Sequence, residues 1–162
     1  MTPIPGARRT LTVRGLALAL FAWGEPGRPP LLLLHSLAAH SHWWDWVGHL
    51  LAARFSVVAL DQRGHGASAW AEPPAYTLDD YAGDALGVLD ALGWRAPTVI
   101  GHSMGGYVGA LVAARHPDRV SALVMADVLT SWTPAMQDFV SKQAARPAPR
   151  SEERRVGKEC RL

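Results

Sequence analysis

Apolar and polar residues fall in blocks along the chain, and Gly and Pro separate the blocks. Residues 11–14 and 16–23 read as two antiparallel strands meeting near Gly15, followed by a turn over 25–30. Residues 31–34, four leucines between a turn and a polar loop, have the pattern of a strand buried on both faces. Across 43–54, the residues Trp43, Trp46, Val47, Leu50 and Leu51 recur three and four apart, which predicts a helix with that face buried. Residues 55–60 predict a second buried strand, ending in the loop Asp61-Gln62-Arg63-Gly64-His65-Gly66. Thr77 and Asp80 form an acidic capping box, and Leu78, Tyr81, Ala85, Leu89 and Leu92 continue at helical spacing until Gly93. A third buried strand over 98–100 runs into Gly101-His102-Ser103-Met104-Gly105-Gly106, then a helix over 107–116 closed by Pro117, then a fourth strand over 121–126. Strands alternating with helices at this pitch predict an α/β fold: a mainly parallel, twisted sheet with helices on both faces, joined by right-handed crossovers.

Composition narrows the setting. The 162 residues are 49% hydrophobic and 19% charged with one cysteine, which excludes a disordered chain and a disulfide scaffold. The longest apolar runs fall far short of the ~20 residues that cross a bilayer. Residues 1–10 show no apolar leader segment, so the expectation is a cytoplasmic protein with no membrane partner. The formal net charge of +2 is uneven: residues 150–162 hold five bases and three acids, whereas 1–149 hold eleven of each. A neutral body argues against a nucleic-acid partner, so Trp43, Trp44 and Trp46 read as core and cap packing rather than a stacking platform.

Candidate chemistry sits where strands end. Gly101-His102-Ser103-Met104-Gly105 is a G-x-S-x-G between a strand and a helix, the setting of a nucleophile elbow. A serine there stands on a strained turn at a helix N-terminus, where free N–H groups favour developing negative charge. The plainer alternative is a Gly-rich turn with no catalytic role. His35-Ser36-Leu37 follows the strand over 31–34 and lies at the same end of the sheet. The backbone N–H groups of Leu37 and Met104 are the candidate oxyanion donors, with the His35 side chain pinning the loop. The loop 61–66 reads as structural, its Asp61 and Arg63 satisfying buried backbone groups. His40 and His42 lack a partner at ligand spacing, so no metal is expected, and no cofactor motif is present.

These three motifs, in this order, resemble the α/β-hydrolase fold superfamily from about residue 11 to 128. His35-Ser36-Leu37, with serine where glycine is usual, resembles the variant in 3-oxoadipate enol-lactonases and their relatives. The resemblance implies hydrolysis of a small-molecule ester, lactone or thioester through an acyl-enzyme on Ser103. The serine argues against epoxide hydrolases and haloalkane dehalogenases, which resemble this fold but use an aspartate nucleophile. The alternative is a non-catalytic small-molecule-binding protein on the same fold.

The superfamily's order is nucleophile, acid, histidine. Asp127, just past the strand over 121–126, is the candidate acid. After Ser103 the chain holds a single histidine, His116, at the far end of the helix that Ser103 begins. That is roughly 20 Å away, against the ~3 Å a general base needs. The tail from Arg150 to Cys160 resembles one translated reading frame of a common short-read sequencing adapter, residue for residue. The sequence therefore reads as residues 1–129 of a truncated hydrolase domain, the start of a cap region over 130–149, and a non-native tail over 150–162. Its last strands and its base are expected to be missing and the chain inactive.

Overall fold

The computed structural model describes residues 4–129. The expected cap region and tail lie outside the described residues. The chain begins with a hairpin, β1 (Ala7–Val13) and β2 (Leu16–Trp23), turned by Arg14 and Gly15 at φ values of 49° and 80°. Then come β3 (Pro30–Leu34), a 3-10 turn (Ser41–Trp44), α1 (Asp45–Leu51), β4 (Ser56–Leu60) and α2 (Leu78–Leu92). β5 (Thr98–His102), α3 (Met104–Arg115) and β6 (Ala122–Ala126) complete the order. The six strands lie as β1-β2-β4-β3-β5-β6; β1 with β2 and β2 with β4 are antiparallel, and the other pairs are parallel. The expected mainly parallel α/β sheet is therefore present.

Strand alternation sorts the core onto two faces. Leu32, Leu34, Val58, Leu60 and Val99 point to α2 and α3, where Tyr81, Ala85, Val88, Leu89, Val108 and Val112 meet them. Leu31, Leu33, Val57 and Ala59 point to the opposite face, with Trp23, Phe21 and Trp44. Helices therefore cover both faces. The Thr77 capping box forms as the spacing predicts, with Asp80 N–H donating to Thr77 Oγ1 and Thr77 N–H donating to Asp80. Gly93 ends α2 in the left-handed region at φ 68°.

Two expectations about burial are corrected. The segment 43–54 falls in the end of the 3-10 turn, α1 and the residues after it, and the turn and α1 together bury Ser41, Trp44, Asp45 and Gly48. Trp43, Trp46, Val47 and Leu50 face outward, 38–67% exposed. Two contacts set this orientation. Ser41 N–H is drawn inward to the buried Asp61 carboxylate, and Gly48 lies against the Trp23 indole, where a Cβ would come within 2.9 Å of the ring. The bulky ring selects the smooth side of the helix, which outweighs the apolar period. The strand over 121–126 is likewise not buried: among the described strands β6 lies at the edge of the sheet, with Val124 49% and Met125 41% exposed.

Candidate active site

The carboxyl ends of β3, β4, β5 and β6 bring the singled-out residues to one edge of the sheet. Ser103 sits between β5 and α3 at φ 48° and ψ −112°, a strained conformation for a residue with a Cβ. Its N–H donates to Ala126 O at 3.0 Å, which fastens the turn to β6. Three glycines make the turn possible. A Cβ on Gly101 would lie 2.3 Å from Gly105 O, one on Gly105 2.2 Å from Leu34 O, and one on Gly106 2.3 Å from Val128 Cγ2. Gly105 thus brings the start of α3 against the last residue of β3, so the nucleophile turn and the His35 loop are neighbours. Met104 N–H and Leu37 N–H have no acceptor among the described residues. No described side chain hydrogen-bonds the Ser103 hydroxyl.

His35 is fully buried. Gln62 N–H donates to its Nε2 at 3.0 Å, so the ring proton resides on Nδ1, which faces Ser36 O at 2.8 Å. The Gln62 side chain returns a bond to His35 O at 2.8 Å. The 61–66 loop is structural, as the sequence suggests, but its partners are richer. Asp61 accepts from Ser41 N–H at 2.6 Å and Ala67 N–H at 2.7 Å. Arg63 donates to Ala75 O and makes a two-pronged pair with Asp84 of α2, both bonds 2.6 Å. A Cβ on Gly66 would strike the Asp61 carboxylate at 2.1 Å.

A family model for the alpha/beta hydrolase fold matches residues 29–159. The chain belongs to the alpha/beta hydrolase fold family. RutD of Caulobacter segnis, named for carbamate hydrolysis, is 38% identical over 125 residues, 76% of this chain and 46% of that protein. Mouse epoxide hydrolase 4 is 37% identical over 114 residues, covering 68% of this chain and 31% of the relative. The crystal structure of the enol-lactonase from Burkholderia xenovorans superposes with a TM-score of 0.66 at 34% identity, over 71% of this chain and 45% of that one. The chain spans about half the length of the carbamate hydrolase and the enol-lactonase, and about a third of the epoxide hydrolase.

Two features of this hydrolase-fold site escaped sequence reasoning. The His102 ring stacks on Trp43 at 5.4 Å and 8°, and its Nε2 faces Asp127 Oδ2 at 3.6 Å. His102 therefore turns toward Trp43 and Asp127, and Asp127 stands exposed at φ 49° beyond β6. Nothing in the linear spacing pairs a tryptophan with a histidine 59 positions later, or Arg63 with Asp84. A cleft of about 340 Å³ opens beside the stack, lined by Ala38, Ala39, His40, His42 and Trp43. Among the described residues no three metal-ligating side chains converge, and no helix is long and apolar enough to cross a membrane.

Burial holds the His35 imidazole at about 4, well below the ordinary 6.5. The folded state keeps it neutral while the unfolded chain binds a proton below about pH 6.5. Stability from this group is thus complete above pH 6.5 and is lost as pH falls toward 4. Urea unfolding followed by tryptophan fluorescence should show a loss of about 2 kcal/mol from pH 7 to pH 5. His35→Gln should flatten that slope, and an unchanged slope would refute the assignment.

Proposed function

We propose that the family's hydrolytic chemistry proceeds here through an acyl-enzyme on Ser103, with an ester, lactone or thioester as substrate. Ser103 Oγ attacks the acyl carbonyl, the bond from that carbon to the leaving oxygen or sulfur breaks, and the hydroxyl's proton goes to the departing alcohol or thiol. Water then cleaves the acyl-serine, releasing the carboxylic acid and restoring the Ser103 hydroxyl. The backbone N–H groups of Leu37 and Met104 receive the tetrahedral oxyanion, each worth roughly 3–4 kcal/mol in the transition state. The observation that carries this reading is Ser103 itself: a strained serine at φ 48°, on a strand-to-helix turn that the surrounding glycines alone permit. A hydroxyl in that position supports acyl transfer over the carboxylate nucleophile of epoxide opening.

Asp127 is the carboxylate we assign to orient a base, since it follows Ala126, whose carbonyl accepts the Ser103 N–H, and so stands beside the turn. The base is not among these residues: His116 follows Arg115 at the opposite end of α3. A serine without its base loses about 10⁴–10⁶ in rate. The second reading, a binding protein without turnover, draws on the lack of a base beside that hydroxyl among the described residues.

Prolonged incubation with millimolar fluorophosphonate should leave a slow adduct on Ser103, located by mass spectrometry and abolished in Ser103→Ala. Absence of any adduct at Ser103, with small esters still bound, would establish the binding protein instead.

A further inference from the structure

An oxyanion donor must be held in one direction, and the segment that carries Leu37 has little support of its own. Leu37 is 68% exposed, and Ala38 takes φ 59°, which is unusual for a residue with a Cβ. Within the loop, Ala39 N–H donates to Ser36 O at 3.2 Å and the Ser36 hydroxyl to Leu37 O at 3.4 Å. The remaining support comes from the loop after β4. His65 Nδ1 lies 2.9 Å from Arg63 O, and a carbonyl can only accept, so Nδ1 carries the proton. The other nitrogen, Nε2, then presents a lone pair, and Ala38 N–H points to it at 3.4 Å, the long end of such a bond.

The platform beneath His65 is stiff. Gly64 and Gly66 hold left-handed conformations, Arg63 is locked to Asp84, and Asp61 fastens Ala67. His35, at the other end of the same segment, accepts from Gln62 N–H, so the segment is tied to the loop after β4 at two imidazoles 5.1 Å apart, His35 on the segment and His65 on the loop.

We propose that His65 is a positioning residue for the oxyanion loop: it accepts the Ala38 N–H and thereby leaves the Leu37 N–H as the donor presented beside Ser103. The proposal rests on the acyl-serine reading above. It gives the Asp61–Gly66 loop a role in transition-state geometry while the loop touches no reacting atom.

The test compares His65→Phe, which fills the space without an acceptor, with His65→Gln, whose Oε1 reaches the place of Nε2. A third variant, His65→Asn, is polar but one bond too short, and replaces His65→Phe if that chain does not fold. Amide exchange at Ala38 should accelerate at least about tenfold in His65→Phe and His65→Asn, with the β3 amides unchanged. Fluorophosphonate labelling of Ser103 should fall about tenfold in the same two variants, and His65→Gln should recover most of both. Unchanged Ala38 exchange overturns the proposal, and so does equal labelling in every variant. If Ser103 labels in no variant and not in the wild type, the acyl-serine reading fails, and the Ala38 exchange alone decides whether His65 holds the loop.

Discussion

Replacing Asp84 by alanine should cost the fold about 3–5 kcal/mol, among the largest single-residue losses available to it. Asp84 is 1% exposed and Arg63 3% exposed, and two 2.6 Å bonds join them. Removing the carboxylate leaves a guanidinium in the interior with Ala75 O and the more distant Asp80 Oδ1, 3.5 Å away, as its remaining partners. The loss spreads because Asp84 ties together three segments. Arg63 belongs to the loop after β4, Asp84 to α2, and Arg14 of the β1–β2 turn approaches Asp84 Oδ1 to 3.7 Å. The penalty belongs to the orphaned charge rather than to the worth of the pair. A double variant, Arg63→Met with Asp84→Leu, should therefore recover most of the stability that Asp84→Ala loses. Urea midpoints read from the seven tryptophans measure both. A loss under about 1 kcal/mol in Asp84→Ala would mean that water reaches the guanidinium.

Gly105→Ala should cost about 3 kcal/mol and detach the nucleophile turn from the sheet. The added methyl would lie 2.2 Å from Leu34 O, 2.6 Å from Leu34 C and 2.8 Å from His35 O. All three are backbone atoms at the end of the central strand, so no side chain can rotate away. Relief requires the start of α3 to move outward, which carries Ser103 and the Met104 N–H away from the His35 loop. Ser103 labelling should fall along with stability. Gly109→Ala, one turn further along α3, is the internal comparison. Its methyl would meet Leu123 Cδ1 at 2.8 Å and Val99 Cγ1 at 3.2 Å, both ends of side chains that can yield. It should cost well under half as much, and equal costs would show that the close approach at Gly105 is not the constraint.

Most of the architecture could be read from the chain because local signals agreed with the tertiary fold. The Leu31–Leu34 run, the Thr77–Asp80 box and Gly93 each specify one outcome, and the sheet places them as read. The G-x-S-x-G turn was equally open to reading, since its glycines encode a close approach of backbone to backbone. What eluded the sequence were choices made between distant partners. The apolar period of 43–54 marks a stripe but not whether the core wants it, and Trp23 on another strand selected the side bearing Gly48. Arg63 announces a need for a carboxylate, yet Asp61 was nearer in sequence and Asp84 won in space. The Trp43–His102 stack and the His65–Ala38 bond likewise join residues whose meeting depends on the completed sheet.

The strand order also has a meaning in time. Both neighbours of β3, namely β4 and β5, are synthesised after it, and β4 takes β2 on its other edge. Leu31–Leu34, each at most 1% exposed in the finished fold, leave the ribosome long before their second flank exists. At ordinary rates of synthesis β5 follows on the order of ten seconds later. For that interval, an uncharged leucine strand presents an open edge, the kind of segment that self-associates readily. The most sheltered part of the native molecule is thus the most vulnerable part of the nascent one, and the segment a chaperone has most reason to hold.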